Sequence, residues 1–130
     1  LEGYGAELAA QDISDKDIVI LEKFADEMEA LGQVADTAGL YEFSRINSNF
    51  HKKIIEASGS TLLTSLLSRL IDMPLVVLKE HSWRGRANQN RSNEQHRNII
   101  DALKSHDPKW ARSVMYGHLI STRPRPESKL

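Results

Sequence analysis

Hydrophobic residues recur at spacings of three and four along most of this chain, the periodicity of helices with one buried face. The clearest stretch ends near Gly32 and carries these apolar positions: Ile18, Leu21, Phe24, Ala25, Met28 and Leu31. Ser14 precedes it as an N-cap, and Asp17 follows three residues later, as in a capping box. No segment alternates apolar and polar residues over the length of a strand. The pattern predicts an all-α fold, an antiparallel bundle of about six to seven helices.

Turn and capping residues delimit the other helices. They are predicted over residues 1–10, from about Gly39 to Ala57, from Thr61 onward, from about Asn90 to Lys104, and from Pro108 to about Ser121. Pro74 should kink or break the leucine-rich helix that starts at Thr61, after which "LVVLKEHSW" can continue as helix. Residues 1–121 are predicted to form one domain, and residues 122–130 a flexible polar tail.

Composition narrows the possible functions. The chain has 130 residues, of which 40% are hydrophobic and 27% charged, as in ordinary globular proteins. It has no cysteine, so any metal site must use His, carboxylate or amide ligands. No apolar run reaches the roughly 18 residues of a membrane span, and no signal peptide is visible, which predicts a cytoplasmic protein without membrane contact. The net charge of −1 argues against DNA binding by this chain alone.

Three histidines share a helix face with apolar residues: His51, His96 and His118. His51 also shares its face with Asn47, whereas His81 and His106 are predicted to lie in surface or loop positions. A single histidine on such a face is usually a core residue with one hydrogen bond. Three of them would each need a partner, and one shared divalent metal ion in the bundle interior would satisfy all three. The residues alone leave both interpretations open.

Three short motifs resemble a known family. "NSNFH", "NEQHRNIIDAL" and "YGHL" are similar, in order and spacing, to the C-terminal effector-binding (FCD) domain of GntR-type transcription regulators of the FadR branch. The resemblance implies a divalent metal held by Asn47, His51, His96 and His118. Asn47 departs from the aspartate that much of the family has, and it brings no charge. Nitrogen-rich ligation suits zinc or nickel, with manganese or iron also possible.

The same resemblance implies an effector and partners. A buried dication with neutral ligands favours an anion, so we expect a small organic acid as effector. Five residues are candidates to contact it: Trp83, Arg84, Arg86, Arg91 and Ser92. GntR regulators place a winged helix-turn-helix domain ahead of this one, and residues 1–130 do not contain it. The expected assembly is a homodimer that contacts DNA only through that N-terminal domain.

Two other classes remain as alternatives. A three-histidine metal with open positions also occurs in metal-dependent hydrolases, which need a general base near the metal. Glu94 points away from His96, and no carboxylate shares a helix face with the three histidines, which favours a protein that is not an enzyme. The other alternative is a metal-free helical dimerisation module in which the histidines are simply packed.

Overall fold

Six helices make up the part of the chain that a computed structural model describes, residues 1–32, 36–71 and 86–122. They are α1 (Glu2–Asp12), α2 (Asp15–Ala30), α3 (Thr37–Ala57), α4 (Thr61–Ile71), α5 (Arg86–Lys104) and α6 (Pro108–Thr122). These ranges contain no strand, which confirms the all-α prediction for them. None of the six helices is both long enough and apolar enough to cross a bilayer. Pro74, the segment that follows it, and residues 123–130 lie outside the described ranges.

Side-chain caps set where several helices begin. The hydroxyl of Ser14 accepts from the amide of Asp17 at 3.1 Å, and the Asp107 carboxylate accepts from the amide of Trp110 at 3.1 Å. The sequence predicted the Ser14 cap and the start of the last helix at Pro108. α3 begins two residues earlier than predicted, because the carboxylate of Asp36 accepts from the amide of Gly39 at 2.7 Å.

Two other boundaries differ from the prediction. α5 begins at Arg86 rather than near Asn90, so the basic stretch before the His96 segment opens this helix. α6 includes Thr122, which was predicted to belong to the flexible tail. In the middle of the chain, α3 ends at Ala57 with Ser58 as its C-cap, and Gly59 takes the left-handed conformation with φ of 72°.

Helix α1 lies at the centre of the packing, against α3, α5 and α6. Its inner face consists of Ala6, Ala9 and Ala10, each completely buried. Such short side chains let neighbouring backbones approach closely without a gap. α1 therefore contacts all three of the helices on which the buried histidines were predicted.

Ion pairs made by two arginines join helices at the surface. Arg97 of α5 binds both Asp26 and Glu29 of α2, which raises its pKa. Arg112 of α6 binds Glu7 of α1 at 3.1 Å. Because these groups are partly exposed, each pair stabilises the fold by only about 0–1 kcal/mol.

The leucine-rich helix α4 divides its side chains between the interior and the surface. Leu63 and Leu67 are buried in a small cluster with Ile55, whereas Leu62 and Leu66 are exposed to 67% and 47%. α4 packs against α3, the helix that carries His51. This places the inner face of α4 against Ile55 of α3.

Replacing a buried leucine should test this core. Leu21 of α2 is completely buried, so Leu21→Ala should lower the free energy of unfolding by about 2–5 kcal/mol through lost contacts and a cavity. Val19 on the same helix is 63% exposed, so Val19→Ala should change the free energy of unfolding by less than about 0.5 kcal/mol. Urea unfolding measures both, and equal losses would contradict the packing described here.

Candidate metal centre

Three histidines converge in the interior. His51 comes from α3, His96 from α5 and His118 from α6, and all three are at least 95% buried, with exposures of 5%, 0% and 2%. One ring nitrogen of each lies within 4.8 Å of those of the other two. The closest pair is His51 Nε2 and His118 Nε2, which are 3.3 Å apart. The structure thus brings together the three imidazoles that the helix faces predicted would point inward.

The proton on His118 is located by its neighbours. Its Nδ1 lies 2.8 Å from the amide oxygen Oε1 of Gln95. The amide nitrogen of Gln95 donates to Ser121 Oγ at 2.8 Å, which leaves the oxygen facing the ring. An oxygen can only accept, so Nδ1 of His118 carries the proton and donates it. Its Nε2 therefore presents a lone pair toward His51.

A carboxylate likewise favours one ring nitrogen of His51 as the carrier of its proton. Oε1 of Glu2, in the first turn of α1, lies 2.9 Å from His51 Nδ1. The angle at Nδ1 is too bent for a well-aligned hydrogen bond. A negative charge at this distance nevertheless favours the proton on Nδ1. Burial alone would raise the pKa of Glu2, yet the interaction with His51 outweighs it and lowers that pKa, so the carboxylate is ionised. Nε2 of His51 is left with a lone pair.

With both protons on Nδ1, the two facing nitrogens each present a lone pair, and they lie 3.3 Å apart. Burial, reinforced by His51, lowers the pKa of His118 to about 3, and burial with the two neighbouring rings holds the pKa of His96 well below its usual range. A cation between the two rings could bind both lone pairs. Two nitrogens each about 2.0–2.1 Å from one zinc ion lie about 3.4 Å apart at the tetrahedral angle, close to the spacing seen.

Asn47 and His96 supply further donor atoms for such an ion. Asn47 Oδ1 is buried and has no hydrogen-bond partner within the described ranges, and the residue lies one turn before His51 on α3. The same holds for His96 Nδ1, while His96 Nε2 has only a long 3.5 Å contact to Ser92 Oγ. Because unpartnered buried polar atoms are costly, two of them beside this cluster fit a metal-binding donor set. Phe50 packs on the His96 ring at 4.5 Å and forms an apolar wall.

Of the other predicted site residues, the structure describes some and not others. Ser92 is completely buried, one turn before His96, whereas Arg91 is exposed on α5. Trp83 and Arg84 lie outside the described residues, and so does the side chain of Arg86. His106 is exposed in the turn before α6, with φ of 50° and its Nδ1 2.9 Å from the carbonyl of Ala10. His81 also falls outside the described ranges.

Sequence reasoning missed Glu2 and Gln95. It found no carboxylate on the faces that carry the histidines, and Glu2 reaches them from α1 instead. Gln95 directly precedes His96, so it points away from that residue's face and meets His118 of the adjacent α6. Periodicity along one helix shows which way a side chain points. It does not show which neighbouring helix that side chain meets.

The fold and the buried cluster together define an all-helical domain with a candidate metal centre. The sequence matches the FCD domain family over residues 1–121. Its structure is similar to that of Streptococcus agalactiae GntR, with a TM-score of 0.75 and 28% identity, over 93% of this chain and 52% of that one. The chain thus spans about half the length of this neighbour, and a comparison with curated proteins gives no match. The chain belongs to the FCD domain family, which confirms the resemblance seen in its motifs.

The low pKa of His118 predicts how metal-free protein responds to acid. As the pH falls below the usual histidine pKa of 6.5, the unfolded chain takes up a proton that the folded chain rejects down to about pH 3. The free energy of unfolding should therefore be greatest above that range and decrease progressively within it. Urea unfolding of chelator-treated protein at several pH values measures this slope. His118→Gln should show a shallower slope, and parallel slopes would contradict the prediction.

Proposed function

We propose that this chain is the C-terminal regulatory domain of a GntR-type transcription regulator, and that it holds a divalent metal ion and senses a small organic acid. Membership of the FCD family and the similarity to Streptococcus agalactiae GntR support the regulatory role. In this proposal a winged helix-turn-helix domain lies N-terminal to the chain and contacts DNA in the cytoplasm. The effector changes the affinity of that domain for DNA.

The convergence of three buried imidazoles, with Nε2 of His51 and Nε2 of His118 3.3 Å apart, is the observation that carries the metal proposal. The ion would be held by Asn47, His51, His96 and His118, with zinc or nickel preferred and manganese or iron possible. When bound, the ion supplies a positively charged centre with open positions that an anion can enter. The protein's own part is to fix the donor atoms and to keep the rings neutral by burial.

The charges of the described residues support an anionic effector. Three neutral imidazoles and an amide leave the charge of a dication uncompensated, and Glu2 offsets one unit from behind His51. One net positive charge then remains in a buried space, which a carboxylate would neutralise.

Buried polar side chains lie along the same two helix faces as the histidines. Ser44 and Ser48 precede His51 on α3, and Gln89 and Ser92 precede His96 on α5. Ser44 Oγ has no hydrogen-bond partner in the portion of the chain described. An unpartnered buried hydroxyl of this kind suits a small polar ligand, because otherwise its burial would be costly. Arg84, Arg86, Arg91 and Trp83 remain the proposed outer contacts.

Regulation in this proposal requires a homodimer with two arrangements of the bundle that bind the effector differently. The effector shifts the population toward one arrangement by its difference in affinity for the two. A hydrolase is less well supported, because Glu94 is exposed and Glu2 lies against Nδ1 of His51, on the other side of the ring from Nε2.

Metal analysis tests the centre directly. Purified protein should contain close to one equivalent of zinc, nickel, manganese or iron by plasma mass spectrometry. His51→Ala and His96→Ala should each remove it, and the double variant should be no worse, because the first substitution already destroys the site. His106→Asn is a matched control, since asparagine tolerates the left-handed backbone there. No metal after reloading, or independent effects of the two variants, would instead favour a metal-free packed module.

Effector binding is tested by thermal shift. Small carboxylic acids should raise the Tm of metal-loaded protein but not that of chelator-treated protein or of His96→Ala. Ser92→Ala should weaken the shift while leaving the metal content intact. Hydrolysis of esters or phosphoesters by metal-loaded protein that disappears in His96→Ala would contradict the sensor function and favour a metalloenzyme.

A further inference from the structure

We propose that Glu2 is a positioning residue of the metal centre: it holds His51 through Nδ1, supplies the negative charge that Asn47 lacks, and couples metal occupancy to the first turn of α1. This inference rests on the proposed function, because it assigns a role within the same centre. It goes beyond the four ligands, none of which lies on α1.

The geometry is that of a carboxylate placed behind a metal-binding imidazole. Glu2 Oε1 lies 2.9 Å from Nδ1 of His51, while Nε2 of the same ring faces His118 Nε2 at 3.3 Å. A carboxylate in this position fixes which nitrogen carries the proton, orients the ring and makes Nε2 a stronger donor. Glu2 is itself only 20% exposed, so water screens its charge poorly.

The composition of the donor set makes this charge important. Asn47 contributes a neutral oxygen, so no described ligand brings a negative charge to the ion. Glu2 places one immediately outside the ligands, in contact with His51. It therefore compensates the ion without occupying a coordination position, which leaves room for an anionic effector.

The position of Glu2 on α1 links the centre to one end of that helix. Its first turn is closed by the hydrogen bond from the Gly5 amide to the Leu1 carbonyl, at 2.9 Å. A metal ion that fixes His51 fixes Glu2 as well, and so stabilises this turn. In the proposed regulator the DNA-binding domain precedes α1. The contact therefore connects the ion to the junction between the two domains.

Zinc affinity is the first test, measured by competition with a chromophoric chelator. Glu2→Gln keeps the size of the side chain and removes its charge, and we expect zinc binding to weaken about 10- to 100-fold. Glu7→Gln is the matched control on the same helix, because Glu7 pairs with Arg112 at the surface. It should bind zinc as the unmodified protein does. Circular dichroism of the metal-free variants checks that both fold.

Two further measurements separate positioning from a general loss of structure. In metal-free protein, NMR of the ring nitrogens should show the His51 proton on Nδ1, and Glu2→Gln should move part of it to Nε2 while Glu7→Gln does not. Zinc should slow hydrogen exchange of the Gly5 amide in the unmodified protein and in Glu7→Gln. Zinc should slow exchange of this amide much less in Glu2→Gln.

A charge-restoring variant completes the test. Asn47→Asp, added to Glu2→Gln, should recover most of the zinc affinity but not the Nδ1 proton on His51. If Glu2→Gln binds zinc as well as the unmodified protein while His51→Ala does not bind, the role of Glu2 is wrong and the metal centre stands. If the unmodified protein binds no metal ion, the proposed function fails, and the role of Glu2 fails with it.

Discussion

The Nε2 atoms of His51 and His118 face one another across 3.3 Å in the interior of the bundle. Gln95 holds one ring by its far nitrogen and Glu2 holds the other. Burial lowers the pKa of the His118 imidazole, so this ring is neutral near neutral pH. The interior of this bundle is therefore arranged around three ring nitrogens that a cation could bind.

Much of this centre follows from the sequence, because the turn of a helix fixes where its side chains point. Asn47 and His51 lie one turn apart, and His96 and His118 share faces with apolar residues, so their inward direction could be predicted. Gln95 and the contact of Glu2 could not, since both depend on how neighbouring helices pack. The cap at Ser14 could also be predicted from the sequence. The cap at Asp36 was missed, so the predicted start of α3 lay two residues after the observed one.

In the proposed centre, the acid beside the ion has a different place from the one that an aspartate in place of Asn47 would give it. A coordinating aspartate neutralises the ion directly and competes with any anion for it. Glu2 instead lies behind His51, where its charge strengthens the imidazole as a donor and leaves the inner positions neutral. In the proposed sensor this arrangement keeps the ion attractive to an incoming carboxylate. Retention of the metal then depends on a residue that never touches it.

The buried alanines of α1 influence how closely the helices that carry the three histidines approach one another. Ala6, Ala9 and Ala10 are completely buried, and α1 packs against each of the helices that bring a histidine. The volume of these three methyl groups therefore helps to set how widely the imidazoles are separated. In the proposed centre, that separation would in turn decide which ion fits. Enlarging one of these alanines could then change the preferred metal with every coordinating atom retained.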